Sequence, residues 1–313
     1  MGARRVGESK EVRDIKMYCR PMRIDLHTHS HASDGTDSPA MLVGLAAQAG
    51  LDIVGLTDHD TVEGWSEAEQ AVPDAGIILI RGMEMTAHMD VDPAEHPRGR
   101  SRVSVHMLGY LFNPRHQALV NHIQAMHDTR EERAREMVAL LSKDYSIHWE
   151  SVQRWRQPGA PIGRPHIADA LVAAGYGADR SEIFRTILHP HGKYYVPTAS
   201  PSALDTVQWI NAAGGKAVIA HPKANKRGNF LPDSAFDKLK EAGLFGAEVD
   251  HRDNAPEIRP ALRDLLTRLA LYPLGASDYH GTGKPNRLGE HTTDVHVYEA
   301  LIDGAFLSPC APV

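Results

Sequence analysis

Apolar residues recur along the chain in two alternating rhythms. Short apolar runs predict strands at Arg23-Ile24-Asp25-Leu26, Leu51–Leu56, Ile77–Ile80, Val103–Leu111, Lys216–Ala220, Gly246–Val249 and Leu271–Gly275. Helical stretches fall between several of them. Ser38-Pro39 offers an N-cap with proline in the first turn, the run MLVGLAAQA follows, and Gly50 stands where a helix-ending glycine belongs. A second helix is predicted near Trp65–Val72. This alternation predicts an α/β fold with mostly parallel strands. Residues 113–200 break the rhythm and read as helical. Leu119, Val120, Ile123 and Met126 share one helical face, Thr129–Glu136 reads as a solvated charged face, and further helices are predicted at His166–Ala174 and Arg180–Leu188. The expected organisation is an extension over residues 1–21, a barrel built from residues 22–112 and 201–300, and a helical insertion or cap over 113–200.

Composition narrows the class. Of 313 residues, 42% are hydrophobic and 24% charged, which excludes a disordered or fibrous chain. The formal net charge of −6 argues against a globally basic binder of double-stranded DNA. Residues 1–23 are charged and lack the apolar stretch of a signal peptide, and no run is long and apolar enough to span a membrane. Cys19 and Cys310 form no disulfide framework, so a cytoplasmic protein without membrane partners is expected. The unusual count is histidine: there are 19, as many as all Phe, Trp and Tyr. Neutral imidazole is a common metal ligand, so the surplus points to a metal site.

The chemistry-bearing residues cluster at strand ends. His27 and His29 are two apart on a strand, so both rings can serve one ion. Asp34 follows in a turn, His59 ends the second strand, and Glu84 is expected to end the third. His106, His221, Asp278 and His280 complete the series. Hydrophobic burial gives no reason to gather such residues there, and the C-terminal ends of parallel strands are where α/β folds place their sites. His31 reads as a polar loop residue. Asp58 and Asp60 read either as acceptors behind a ligand ring or as turn acids.

The motifs DLHTHS, SDGTDSP, GLTDHDT, GMEMT, HMLGY, GRPHIADALV, AGGKAVIAHP, GAEVDH and GASDYHG, in this order over about residues 23–290, resemble the PHP (polymerase and histidinol phosphatase) family of metal-dependent phosphoesterases. GRPHIA and the long insertion look most like the subgroup acting on nucleotides and RNA 5′ ends, including 3′,5′-bisphosphate nucleotidases. The resemblance implies a distorted (β/α)7 barrel holding two or three divalent ions. It implies that His27, His29, Glu84 and Asp278 hold the first, that Glu84, His106 and His221 hold the second, and that Asp34, His59 and His280 hold the third. Every implied donor is N or O, which suits Mn²⁺, Fe²⁺ or Zn²⁺.

Largely on the same resemblance, Arg164 and His166 are candidates for a phosphate clamp, Arg for its fork of donors. The alternative is Arg164 on helix carbonyls and His166 at a helix start. Lys193, Tyr194 and Tyr195 read as contacts to a base or second phosphate, with core packing as the alternative for the tyrosines. Lys223, Lys226 and Arg227 read either as an anion-receiving mouth or as a solvated run. His251 is a candidate pocket residue, and Arg98, Arg100 and Arg102 lie in a loop that reads as an insertion. Asn254 stands where many relatives are expected to carry His.

The expected activity is hydrolysis of a phosphomonoester on a small nucleotide, such as a nucleoside 3′,5′-bisphosphate, by a hydroxide bridging two ions. The alternatives are a 5′-to-3′ exoribonuclease on short RNA, a histidinol phosphatase, a metal-dependent deaminase or amidase, and a non-catalytic metal-binding scaffold. The sequence carries no signal for oligomeric state.

Overall fold

The computed structural model describes residues 20–190, 192–224 and 229–312. The expected N-terminal extension up to residue 19, Cys19, Lys226 and Arg227 lie outside the described residues. In chain order the elements are β1 (Ile24–Thr28), α1 (Pro39–Gln48), β2 (Ile53–Leu56), α2 (Trp65–Ala75), β3 (Ile78–Asp90), β4 (Arg102–Tyr110), α3 (Gln117–Leu141), α4 (Trp149–Gln153), α5 (Arg164–Ala173) and α6 (Arg180–Arg185). They continue with α7 (Ala203–Ala212), β5 (Lys216–Ala220), β6 (Lys223–Ala224), β7 (Asn229–Phe230), α8 (Asp233–Glu241), β8 (Gly246–Asp250), α9 (Arg259–Arg268), β9 (Tyr272–Gly275) and α10 (Val295–Ile302).

Seven strands join in one sheet in the order β1-β2-β3-β4-β5-β8-β9. Its two ends approach each other: Thr28 bridges Tyr279, and the His29 amide donates to the Tyr279 carbonyl at 2.8 Å. The result is a nearly closed barrel of mixed α/β type. The β1–β2, β2–β3, β5–β8 and β8–β9 pairs are parallel, as the alternation predicts. β4 departs from the prediction by running antiparallel to both its neighbours. No helix connects β3 to β4, only residues 91–101, and a parallel pair needs a longer crossover.

This hairpin also corrects the expected place of Glu84. Residues 78–81 pair with β2; from Gly82 the strand continues and pairs with β4 out to Asp90. Glu84 therefore sits in the middle of β3 rather than at its end. The loop after β2 is laid over it: His59 bridges Glu84, and the Asp60 amide donates to the Glu84 carbonyl at 3.0 Å.

Strands buried on both faces feed separate apolar clusters, the reason they read as near-continuous hydrophobic runs. Ile24, Leu26, Ile53, Ile80, Leu108, Val218 and Leu274 pack together on one side. Val54, Leu79, Met107, Ile219 and Val249 face the helices with Leu42, Val72, Ile210 and Leu265. Helix α1 starts as expected: the Ser38 hydroxyl accepts from the Met41 amide at 3.2 Å, and Gly50 takes the left-handed conformation just past its end (φ 76°).

A third cluster gathers Met137, Val138 and Leu141 of α3 with Ile167, Leu171, Ile183 and Leu188. Helix α3 is shared, because Leu119 near its start packs with the barrel cluster. Its expected solvated segment needs correction. His122, Met126, Arg130 and Ala134 follow one another at four-residue spacing, so Arg130 lies on the inward stripe rather than in solvent.

Candidate metal centre

His27 lies in β1 and His29 just past it; His59 follows β2, His221 follows β5, His251 follows β8, and Asp278 and His280 follow β9. Glu84 and His106 come from the β3–β4 pair. The β1–β2 register shifts between Asp25 and Thr28, and the β8–β9 register between Glu248 and Asp250. Such irregularities re-aim side chains and recur beside active sites. Asp60, His221 and Asp278 all have positive φ (50°, 32° and 54°), backbone strain of about 1–3 kcal/mol each that the surrounding contacts must hold.

Glu84 is the hub. Its Oε2 lies 3.3 Å from His27 Nε2, 3.0 Å from His29 Nε2 and 3.2 Å from His59 Nδ1. Its Oε1 lies 2.7 Å from His106 Nδ1 and 3.4 Å from His221 Nε2. Asp278 Oδ1 lies 3.5 Å from both His27 Nε2 and His29 Nε2. Beside this group, Asp34 Oδ1 is 3.2 Å from His280 Nε2, and Asp34 Oδ2 is 4.0 Å from His59 Nε2. All nine expected ligands thus converge. Potential ligand atoms of His27, His29, Glu84 and Asp278 lie mutually within 4.8 Å, as do those of His29, Asp34, His59 and His280, and those of His59, Glu84 and His106.

Two observations show that these residues fit divalent ions. Donors ~2.0–2.2 Å from one ion stand about 3.0–3.5 Å apart at tetrahedral or octahedral angles. The His27 Nε2–His29 Nε2 separation of 2.9 Å and their distances to Glu84 and Asp278 fall at or near that range. Moreover, His29 Nδ1, His59 Nδ1, Glu84 Oε2 and His280 Nε2 are buried with no hydrogen-bond partner among the described residues. Buried polar atoms rarely stay unsatisfied, and a cation would satisfy these.

The electrostatics agree. Burial alone would push Glu84 up, but His59, His106 and His27 hold it well below the usual carboxylate range. Burial favours neutral His29, yet Glu84 and Asp278 outweigh it and raise the ring to about 9. His59 and His280 are pushed down, by burial first, to about 3 and about 4. The carboxylates draw positive charge into the cluster; ions would supply it without protonating the ligands.

A surrounding layer fixes the ligands. Glu248, fully buried, accepts from His27 Nδ1 at 2.8 Å and from the His221 amide at 2.8 Å. Lys284 donates to Asp278 Oδ2 at 2.9 Å. Among the described residues Asp58 bonds to no ring: it accepts from the Ser30 amide and hydroxyl and the Ser33 hydroxyl, bracing the turn before Asp34. Asp60 joins β3 to α3, accepting from the Thr86 amide and hydroxyl, His122 Nε2 and the Arg130 guanidinium. Gly35 is required by close approach, since a Cβ there would lie 2.4 Å from the His29 carbonyl oxygen.

Arg164 and His166 lie in α5, and Arg180 begins α6. His166 is buried and its Nδ1 accepts from the Gly163 amide at 3.0 Å, which assigns the proton to Nε2. Burial lowers its pKa and Asp34 opposes that shift, so the ring stands near the Asp34 group. Arg180 grips Asp169 with two bonds of 2.6 Å and the Asp34 carbonyl at 2.9 Å, clasping the insertion to the ligand turn. Arg164 lies over Phe184 and Tyr195.

Other expected contacts are placed elsewhere. The Lys223 ammonium is buried on the Leu231 carbonyl and Asp233, both at 2.6 Å. Lys193 pairs with Asp144 at 2.6 Å on an exposed edge, and Tyr194 donates to the same carboxylate. Asn254 is spent on the Lys223 amide and the Glu248 and Val249 carbonyls. His251 is at the cluster: its Nδ1 accepts from the Asp253 amide, and its Nε2 is 3.9 Å from Asp278 and Glu248. Glu248, Lys284 and Arg130 are not legible in the sequence as residues that brace the site; the inward stripe of α3 is the available signal for Arg130.

Comparison with known proteins agrees with this geometry. A PHP domain model matches residues 25–178. A 3′,5′-nucleoside bisphosphate phosphatase of Chromobacterium violaceum is 32% identical over 273 residues, covering 87% of this chain and 92% of the relative. A 5′-3′ exoribonuclease of Haemophilus influenzae is 30% identical over 259 residues, covering 82% and 90%. A solved structure from Bifidobacterium adolescentis, assigned as a metal-dependent phosphoesterase, superposes with TM-score 0.83 at 39% identity, over 91% of this chain and 98% of that one. With a PHP domain match, a relative 32% identical over most of its length and a solved phosphoesterase of the same fold, the chain belongs to the PHP family of metal-dependent phosphoesterases and is a phosphoric ester hydrolase.

Proposed function

We propose that the chain hydrolyses a phosphomonoester of a small nucleotide, best a nucleoside 3′,5′-bisphosphate, releasing phosphate and a nucleoside monophosphate. The observation that carries this reading is the convergence of acids and imidazoles on Glu84, with the helix that carries Arg164 and His166 clasped to the Asp34 turn through Asp169 and Arg180. His27, His29, Glu84 and Asp278 would hold one ion, Glu84, His106 and His221 a second, and Asp34, His59 and His280 a third. The donor set suits Mn²⁺, Fe²⁺ or Zn²⁺. Bound divalent ions supply a water acidic enough to lose its proton near neutral pH and neutralise charge growing on the phosphoryl oxygens.

The chain's own groups then divide the work. Glu84, touching five rings, sets the spacing of the cluster. Glu248 fixes the His27 ring so that Nε2 faces inward. Arg164 orients the substrate phosphate through its planar fork. His166, neutral and carrying its proton on Nε2, donates to a phosphoryl or leaving-group oxygen. The expected compartment is the cytoplasm.

The H. influenzae relative favours a second reading, stepwise 5′-to-3′ hydrolysis of short RNA. A Mn²⁺-supplemented screen of nucleotide mono-, bis- and cyclic phosphates and short 5′-phosphorylated RNAs separates the readings by product. Free phosphate with one nucleoside monophosphate supports the first, and successive mononucleotides the second. Ammonia release without phosphate would select a deaminase. No turnover above background with any substrate would leave the scaffold reading and overturn both.

A further inference from the structure

Asp278 divides its two oxygens between different partners. Oδ1 lies 3.5 Å from both His27 Nε2 and His29 Nε2 and faces the first group of ligands. Oδ2 accepts from the Lys284 ammonium at 2.9 Å, with His251 Nε2 3.9 Å away. Glu84 is used differently: Oε2 faces His29 and Oε1 faces His106. Asp34 likewise turns one oxygen to His280 and the other toward His59. The Asp278 side chain is buried, whereas that of Lys284 is 24% exposed, so the ammonium reaches in from the rim. The loop that carries it is anchored at both ends. The Thr282 amide donates to the Thr36 hydroxyl at 2.9 Å. Asn286, itself buried, donates to the Ser277 carbonyl at 2.7 Å and to the Asp278 carbonyl at 3.2 Å. A carboxylate binds a cation through one oxygen or through both. Binding through both fills one more coordination position, and a catalytic ion needs a position left for water or substrate.

We propose that Lys284 is a positioning residue: it reserves Asp278 Oδ2, restricts Asp278 to binding the first ion through Oδ1, and so keeps a position on that ion open. The proposal rests on the ligand set of the phosphoesterase reading and is independent of which phosphate ester is cleaved. Without the ammonium, Oδ2 is left in a buried site without its charged partner. A buried carboxylate oxygen in that state turns to the nearest cation, and here that is the ion itself. The chain would then hold the ion firmly and use it poorly.

The test compares wild type with Lys284→Met, which removes the ammonium, and Lys284→Arg, which can still donate to Oδ2. Apoprotein is titrated with Mn²⁺, and water-proton relaxation of the loaded protein reports how many waters exchange on the bound ions. Lys284→Met should bind Mn²⁺ at least as tightly as wild type and show a lower relaxation enhancement at equal Mn²⁺ bound. At saturating Mn²⁺ it should lose kcat by about 10- to 100-fold on a nucleotide that wild type hydrolyses. Lys284→Arg should recover both the enhancement and kcat. Weaker Mn²⁺ binding by Lys284→Met would mean that Lys284 merely braces Asp278 for the ion, and would overturn the proposal. A loss of kcat with unchanged relaxation would make Lys284 a substrate contact instead, and unchanged kcat at saturation would leave it no part in turnover; either overturns the proposal. Diffraction from wild-type crystals equilibrated with Mn²⁺ gives an arm that needs no variant. One Asp278 oxygen on the ion and the other on Lys284 is expected, and both oxygens on the ion would overturn the proposal. If wild type hydrolyses no phosphate ester the functional reading fails, while the relaxation and diffraction arms still decide the role of Lys284.

Discussion

Asp60→Asn tests whether the insertion is locked to the barrel through one buried carboxylate. The Asp60 side chain is fully buried and accepts from Thr86, His122 and Arg130, whose own side chain is 13% exposed. Asparagine keeps the shape and tolerates the left-handed backbone at this position (φ 50°), so the change isolates the charge. It leaves Arg130 as a buried cation without its counter-ion and turns one acceptor into a donor facing donors. Breaking such a pair from one side costs about 3–5 kcal/mol. For a chain of this size, at about 2 °C per kcal/mol, the melting temperature should fall by about 6–10 °C. The assay is thermal unfolding in chelator, so that metal binding does not contribute. The pH dependence has a definite sign. Burial would raise the Asp60 pKa, but Arg130 and His122 pull it well below the usual carboxylate range. Its stabilisation is therefore fully present above the unfolded pKa of about 3.9 and is lost as pH falls toward the depressed folded value. The gap between wild type and Asp60→Asn should be constant from pH 5 to 8 and shrink in stronger acid. Arg130→Ala combined with Asp60→Asn should cost less than the sum of the single changes. A melting temperature within about 1 °C of wild type, or strict additivity with Arg130→Ala, would refute the argument.

Two further outcomes follow from the same contacts. Glu248→Gln should lower divalent-metal affinity about 10- to 100-fold in titrations of the apoprotein while preserving its far-ultraviolet circular dichroism, because one of its two acceptors becomes a donor facing His27 or the His221 amide. Gly35→Ala should cost about 1–3 kcal/mol in denaturant unfolding and reduce the number of ions bound per chain, because the new Cβ meets the His29 backbone and the Asp34 turn must move.

Several features could be read directly from the chain. Ser38-Pro39 and Gly50 mark both ends of α1 because caps are local chemistry. His27-x-His29 and the acid and histidine residues after β2, β5 and β9 were legible because parallel strands end on one rim. Relations between distant segments were not. Whether β4 runs parallel or antiparallel depends on its connection, and its apolar run reads alike in both directions. Glu84 reads as a strand end because the motif around it looks like one; only the pairing with β4 extends the strand beyond it. Glu248 looks like any acid near a strand end until His27 is brought to it across the barrel. Arg130 sits in a run of charges that satisfies a solvated-face pattern, and only Asp60 makes its inward position affordable. Lys223 shows the converse: a cation two residues from His221 is bonded to Leu231 and Asp233 instead.

Anomalous diffraction from crystals equilibrated with Mn²⁺ addresses the central claim most directly. The account predicts peaks within bonding distance of Glu84, one shared with His27, His29 and Asp278 and another beside His106, with occupancy at Asp34, His59 and His280 adding a third. Peaks confined to surface carboxylates, with phosphate release persisting at the wild-type rate after complete chelation, would contradict it.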